Sequence, residues 1–223
     1  MQKSISQLGR SMIEMLGVLA IIGVLSVGGI AGYSKAMTKF KTNKTIAEVT
    51  TVVSNIIILS ANQKNLDFID VANTNDLYTM GIIPEEMIDI SKDNPQSPFG
   101  EFFIYPYSSN TISSKSFSIY LYDLPRETCI ALGTYDWGGK NSGFDGILTA
   151  SQRGMDPEVD LYDCAYGNDD GENTEANYYS NRDGAVTACR RVKNLQIPLT
   201  PELAAKGCSC TSNTCLVGIL YIF

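Results

Sequence analysis

The residues with the most distinctive chemistry are six cysteines, all in the second half of the chain. Thiols either pair as disulfides or bind soft metals as thiolates. The spacing Cys208-x-Cys210-x4-Cys215 is not the C-x2-C pattern of zinc knuckles, and the chain has no histidine. We therefore favour three disulfides over a metal site, and hence an oxidising compartment. The six are Cys129, Cys164, Cys189, Cys208, Cys210 and Cys215.

Spacing alone does not choose among the possible cysteine pairings. Of these pairings we favour Cys164 with Cys189, and Cys129 with one of the last three cysteines. A bridge that closes a long loop stabilises a domain by about 3–5 kcal/mol in the chain-entropy model.

The remaining residues give little support for a catalytic site or a calcium site. Without histidine there is no Ser-His or Cys-His nucleophile pair. Residues 156–184 are rich in acids, and oxygen clusters suit calcium. The residues around Asp170 do not match the EF-hand pattern, however, because Tyr166 and Asn177 occupy its first and last ligand positions. We favour a solvated acidic surface, and we expect no enzyme activity, no metal and no cofactor.

Aromatic residues accompany these acidic segments. They would suit a glycan-binding or partner-binding surface, but we favour their use as loop anchors that pack on a sheet. The residues are Tyr135, Trp137, Phe144, Tyr162, Tyr166, Tyr178 and Tyr179.

One more acid stands in an unusual place, because Glu14 directly precedes twenty residues without a formal charge, 15–34. A helix of about 20 apolar residues crosses a bilayer. A carboxylate in such surroundings costs a few kcal/mol unless it is paired. Either Glu14 lies at the membrane interface as an ordinary acid of a helix N-terminus, or a neighbouring subunit's amine neutralises it.

The sequence around Glu14, GRSMIEMLGVLAIIGVL, resembles the class III signal of type IV prepilins and pseudopilins. That signal has a glycine before the cleavage point, a glutamate fifth in the mature chain, and then a hydrophobic helix. Gly9 matches the glycine, Arg10 the first mature residue and Glu14 the glutamate. The family usually has Phe or Met where this chain has Arg10.

The resemblance implies several partners and modifications. A prepilin peptidase would cut between Gly9 and Arg10 and methylate the new amine of Arg10. The helix stays on the mature protein, because the cut precedes it. Glu14 would pair with the amine of a neighbouring subunit, and pilus assembly machinery would act on the chain.

Glycines interrupt the apolar span at Gly17, Gly23, Gly28, Gly29 and Gly32. Each costs about 1 kcal/mol relative to alanine in a helix. Small residues also let helices approach closely in lipid. We interpret Gly23, Gly28, Gly29 and Gly32 as a helix-packing face, and as a place where the helix loosens when the subunit leaves the bilayer.

The helix is expected to continue beyond the span to about residue 61. An apolar stripe follows helical periodicity, and no proline occurs before Pro84. We predict a leader at 1–9, a transmembrane and polymerisation half at 10–34, an amphipathic half at 35–61 and a head domain at 62–223. The stripe consists of Ile46, Val49, Val53, Ile56 and Ser60, broadened by Val52, Ile57 and Leu59.

In the head domain, local signals predict short helices near 74–80 and after Pro84. They also predict a hairpin of strands 101–107 and 116–122, a helix carrying Cys129, and loops at 134–145 and 156–184. A helix is predicted over 184–194, another begins at Pro201 with Thr200 as its cap, and a central strand covers 216–223.

The run from SPFGEFFIYPY to LPRETCIAL also resembles the first strands of the larger, type IVb-like pilin domains. In those a glycine-led hairpin precedes a helix with the first disulfide cysteine. The implied fold class is α+β: the type IV pilin fold, with a long N-terminal α-helix packed on an antiparallel β-sheet and a disulfide-stapled C-terminal region.

Charge is divided between the two ends of the chain. Residues 1–48 carry a net charge of +4 and residues 49–223 carry −11. The acidic part argues against nucleic acid as a partner. Lysines follow the span, and the positive-inside rule alone would keep them in the cytoplasm. The cysteines and the cleavage motif favour the opposite orientation, with an extracytoplasmic head.

Taken together, the residues and the resemblance predict a structural subunit of a type IV pilus-like filament, with surface roles in adhesion or motility. It would lie in the inner membrane first and in an extracellular homopolymer afterwards. Alternatives are a minor pilin, a type II secretion pseudopilin, or a membrane-anchored extracytoplasmic binding protein.

Overall fold

The computed structural model describes residues 12–70, 73–89, 91–107, 115–138, 142–151, 161, 185–189, 197–211 and 214–223. The chain divides into two compact units, Met1–Phe40 and Lys41–Phe223, and the division falls within the first helix. That helix, α1 (Met12–Ser60), has 49 residues. At 1.5 Å per residue, a helix of this length extends for about 74 Å. The long N-terminal helix predicted from the sequence is confirmed.

Within the second unit, α1 buries one face. Val49, Val52 and Ile56 have no exposed surface, and Val53 and Ser60 are also buried. Full burial of such a side chain contributes about 1.5–3 kcal/mol. The predicted stripe is therefore the buried face, although Leu59, which was included in it, is 39% exposed.

Short elements connect α1 to the sheet: α2 (Asp67–Asp70), α3 (Thr74–Thr79) and a 3-10 helix (Glu85–Met87). The helix predicted near 74–80 is α3, and its N-cap is Asn73, which forms a capping box with Asp76. Gly81 follows α3 with φ of +74°, as expected for a glycine that ends a helix.

Among the described residues, five strands form one antiparallel sheet in the order β1-β2-β5-β3-β4. The predicted hairpin is confirmed by the pairing of the first two strands. The strands are β1 (Phe102–Tyr107), β2 (Ser116–Leu124), β3 (Phe144–Ser151), β4 (Val186–Cys189) and β5 (Cys215–Ile222).

The terminal strand β5 is central, as predicted, because it pairs with both β2 and β3. Its alternate side chains belong to two different buried clusters. Val217, Ile219 and Tyr221 lie in the cluster that contains the buried residues of α1, and Leu216 and Leu220 lie in the other. Both faces of β5 are thus covered.

Two sequence expectations for this region are wrong. Residues 184–194 were expected to form a helix, but Val186–Cys189 is a strand paired with β3, and it is the last strand in the order that the described residues form. The β-branched Val186 and Thr187 suit a buried strand. Strand β3 was not predicted, and Phe144 and Asp145 at its start were assigned to a loop. Gly146 suits this strand, since an added Cβ would lie 3.3 Å from Leu220.

Two further helices pack on the sheet, α4 (Arg126–Gly133) and α5 (Pro201–Gly207). Both were predicted, including the Thr200 cap, whose hydroxyl accepts from the amide of Leu203. A disulfide joins Cys129 of α4 to Cys208, just after α5. The Nε of Arg126 donates to the carbonyl of Cys208 at 2.9 Å. A second bridge joins Cys210 to Cys215.

Removing the two bridges separately should give different losses of stability. The Cys129–Cys208 bridge spans 79 residues and the Cys210–Cys215 bridge spans 5. In the chain-entropy model, their loss lowers the free energy of unfolding by about 4.5 and about 2 kcal/mol. Double alanine variants of each pair can be compared by urea unfolding of the full chain in detergent, followed by the fluorescence of the single tryptophan, Trp137. Equal losses for the two variants would contradict the loop-closure account.

Candidate assembly surface

The described part of the first unit is a helix whose apolar side chains are exposed. The most apolar 18-residue window of α1 has a mean hydropathy of 2.2 and no buried residue. The helix is long and apolar enough to cross a membrane. The exposed large side chains before residue 31 are Met12, Met15, Leu16, Val18, Leu19, Ile21, Ile22, Val24, Leu25, Val27 and Ile30.

Glu14 lies in the first turn of α1 and is exposed. A carboxylate at a helix N-terminus is stabilised by the helix dipole. Once apolar surroundings cover the neighbouring residues, this contribution is too small to offset desolvation of the charge. Gly9 and Arg10 lie outside the described residues, so the cleavage point and the partner amine remain predictions.

The glycines of α1 have no packing role among the described residues. A Cβ added at Gly17, Gly23, Gly28, Gly29 or Gly32 would meet nothing within 4 Å. Alanine would therefore fit at each position and would favour the helix by about 1 kcal/mol. The described residues therefore give no reason for glycine at these positions, and helix packing through them remains a prediction.

The lysines after the span have different environments. Lys35 and Lys39 are exposed in the first unit. In the second unit, the Nζ of Lys41 lies 5.7 Å from the centre of the Phe99 ring. The Nζ of Lys44 lies 3.5 Å from the carboxylate of Glu48.

The described cysteines belong to a disulfide-bonded region of the head. The sulfurs of Cys129, Cys208 and Cys215 lie within 4.8 Å of one another, but each belongs to a disulfide. The prediction that Cys129 joins one of the last three cysteines is confirmed. Cys189 is also disulfide-bonded. Cys164 lies outside the described residues, so its pairing with Cys189 stays a prediction.

Most of the acidic segment 156–184 also lies outside the described residues, together with Tyr162, Tyr166, Tyr178 and Tyr179. Trp137 is a loop anchor, as predicted. Its Nε1 donates to the carbonyl of Leu132 at 2.9 Å, and its own carbonyl accepts from the hydroxyl of Tyr221 at 3.0 Å. Phe144 is buried in the sheet, and Tyr135 is 39% exposed.

Titratable groups of the head mostly serve its structure. Burial raises the pKa of Tyr120 and of Tyr221, so both phenols stay neutral at physiological pH. Hydrogen bonds from Ser91 lower the pKa of Asp89. These groups form no arrangement of nucleophile and base.

Two charged residues have roles that the sequence analysis missed. The ammonium of Lys115 donates to the carbonyl of Ser60 and so caps the C-terminus of α1. Local sequence patterns could not predict this contact, because the two residues are far apart in sequence and meet only in the folded domain. Glu48 is buried, with 4% of its surface exposed. It lies four residues before Val52, so a helical wheel would have placed it on the buried face.

Two curated proteins are similar to this chain, and no family model matches it. The major structural subunit of bundle-forming pilus from Escherichia coli O111:H- is 26% identical over 151 residues, 66% of this chain and 74% of the relative. The protein of the same description from Escherichia coli O127:H6 (strain E2348/69 / EPEC) is 26% identical over 140 residues, 61% and 68%. Both are structural subunits, in agreement with the prediction of a non-enzymatic pilin-like protein.

The glycines offer a test of what covers the first unit. We expect the double variant Gly28→Ala, Gly29→Ala to increase helicity in detergent by circular dichroism, since each glycine costs about 1 kcal/mol. We expect the same variant to lower the yield of sheared filaments, because the added methyl groups keep neighbouring helices apart. Ser26→Ala, in the same exposed span, is the matched control. Normal filament yield from the double variant would show that the glycines have no packing role.

Proposed function

The chain is pilin-like in sequence and in fold, and we propose that it is a major structural subunit of a type IV pilus-like filament. Assembly proceeds through α1 after a prepilin peptidase removes residues 1–9. The relatives' description as major structural subunits favours this role over a minor pilin or a pseudopilin. Abundance in sheared filaments distinguishes these possibilities, because a major subunit is their bulk component.

The observation that carries the proposal is the exposed apolar surface of α1 with an acid at its start. Such a surface is stable in only two settings, lipid or contact with other apolar chains. An inner-membrane stage provides the first, and a bundle of α1 helices from many copies provides the second. A subunit that passes from one to the other keeps its apolar residues away from water throughout.

Glu14 would then specify the register between copies. The amine of Arg10 in one subunit pairs with the Glu14 carboxylate of its neighbour, so that both charges are neutralised inside the bundle. A wrong register leaves both charges unpaired in apolar surroundings, which costs several kcal/mol. The acidic, disulfide-bonded head domain faces outward, where it contributes to adhesion or motility.

Replacing Glu14 tests the assembly step. In Glu14→Ala the partner amine loses its counter-charge in an apolar environment, at a cost of about 3 kcal/mol. That corresponds to a roughly hundredfold weaker association. We expect filaments to be lost by electron microscopy of sheared material, while the subunit still accumulates in the membrane fraction with its disulfides formed.

Glu14→Asp, which keeps the charge, should retain part of the assembly, and Glu202→Ala on the exposed surface of the head should leave it intact. If the chain were instead a membrane-anchored binding protein, Glu14→Ala should be displayed on the surface as the wild type is. Filaments at wild-type yield from Glu14→Ala would therefore rule out the pairing.

The intact mass of the protein purified from its source tests processing. We expect a mass lower by residues 1–9 and by the six hydrogens that three disulfides remove, and higher by one methyl group on Arg10. Fragmentation of the N-terminal peptide locates the methyl group, and reduction with alkylation counts the disulfides. Assembled material that retains Met1 would contradict the cleavage.

A further inference from the structure

A buried carboxylate in the second unit, Glu48 of α1, is not used by the proposed assembly. Its side chain is 4% exposed and lies beside Val49 and Val52, which are fully buried. One oxygen, Oε1, lies 3.5 Å from the Nζ of Lys44. The other, Oε2, is buried without a hydrogen-bond partner among the described residues. An ionised carboxylate in this position is poorly compensated.

Glu48 lies where α1 packs against residues 82–87. The Nζ of Lys44 is also 3.9 Å from Oε1 of Glu86, on the 3-10 helix. Further along α1, the Nδ2 of Asn55 donates to the carbonyl of Ile82 at 3.1 Å. The side chains that this segment contributes to the core are Ile82, Ile83 and Met87, each at most 2% exposed.

The charged groups that act on Glu48 are few. Among the described residues they are Lys44 from its own helix and Glu86 from the 3-10 helix. Burial raises the pKa of the Glu48 carboxyl from 4.5 to about 7, with a smaller raising effect from Glu86 and an opposing effect from Lys44. Glu48 therefore changes its charge close to neutral pH.

We propose that Glu48 is a pH-sensitive latch between α1 and residues 82–87. When its carboxyl is protonated, the buried side chain is neutral and Lys44 keeps Glu86 as its partner. When the carboxyl is ionised, Oε2 carries charge in a site where no described residue donates a hydrogen bond to it. The contact between α1 and the segment then weakens, and local opening, which hydrates the carboxylate, becomes more frequent.

The direction of the pH effect on opening follows from the pKa of the Glu48 carboxyl in the closed form and in the open form. The closed form binds its proton up to a pH of about 7, whereas an open, hydrated carboxyl loses it near 4.5. The closed form is therefore favoured at low pH, and this advantage is lost as pH rises through about 7. Linkage between these values gives a roughly tenfold increase in the opening constant from pH 6 to pH 8, with little change beyond.

Amide hydrogen exchange of the full chain in detergent micelles measures this opening. The amides of Ile82 and Met87 are suitable reporters, since they donate to the carbonyls of Leu77 and Pro84. Glu48→Gln keeps the shape of the side chain and removes the titration. The protection of the wild type relative to Glu48→Gln should fall about tenfold from pH 6 to pH 8. Taking this ratio at each pH cancels the intrinsic pH dependence of exchange.

Two further variants test the assigned neighbours. Lys44→Met removes the group that lowers the pKa, so the transition should move to higher pH. Glu86→Gln removes a group that raises the pKa, so the transition should move to lower pH. Parallel profiles for the wild type and Glu48→Gln would overturn the latch, because Glu48 would then have a structural role without pH sensitivity.

A direct titration of the carboxyl completes the test. The side-chain carboxyl carbon of Glu48 in isotope-labelled wild type should titrate with a midpoint near 7, and a midpoint near 4.5 would overturn the proposal. This measurement tests the pH response of Glu48 even if Glu48→Gln does not fold. Since both measurements use unassembled subunits, their outcome does not depend on whether the chain forms filaments.

Discussion

The apolar surface of α1 in the first unit is the constraint on which the rest of the structure depends. Eleven large apolar side chains between Met12 and Ile30 are exposed among those described. Removing each from water is worth about 1.5–3 kcal/mol. Their sum exceeds the 5–15 kcal/mol or so that stabilises a typical domain. A typical head domain could not offset the cost of leaving them in water, which is why the proposed function places them in lipid or against other subunits.

In the second unit, α1 is instead part of the core of a folded domain. Its part of α1 buries one face in the core and is held at its C-terminal end by the ammonium of Lys115. Lys115 also pairs through its backbone with Phe223, beside the central strand β5. The end of α1, the start of β2 and the end of β5 are thus tied together by one residue. The bridge from Cys129 to Cys208 links α4 to the segment after α5, and both cysteines lie in the same buried cluster as the core residues of α1.

The elements that could be predicted from sequence are those with local signals. The apolar span and its stripe predicted α1, runs of aromatic and β-branched residues predicted the hairpin, and a threonine–proline pair predicted α5. The strands β3 and β4 could not be predicted. Gly146 suits β3 because a Cβ added there would lie only 3.3 Å from Leu220, and β4 is defined by its pairing with β3. Both reasons depend on contacts between segments that are distant in sequence.

Of the candidate site, the span, Glu14 and the glycines were recognisable from the sequence, whereas Gly9 and Arg10 lie outside the described residues.

Glu14 and Glu48 show why residue type alone does not determine a role. Both are glutamates on α1, and both lie beside apolar residues. Glu14 is exposed, and the proposed assembly neutralises it with the amine of a neighbouring subunit. Glu48 is enclosed, and its partner Lys44 is one helical turn away. The first carboxylate is therefore available to an assembly partner, while the second responds to protons. The periodicity that distinguishes them is visible in the sequence, because Glu48 shares the buried face with Val52, but its consequence for the pKa depends on the packing of residues 82–87.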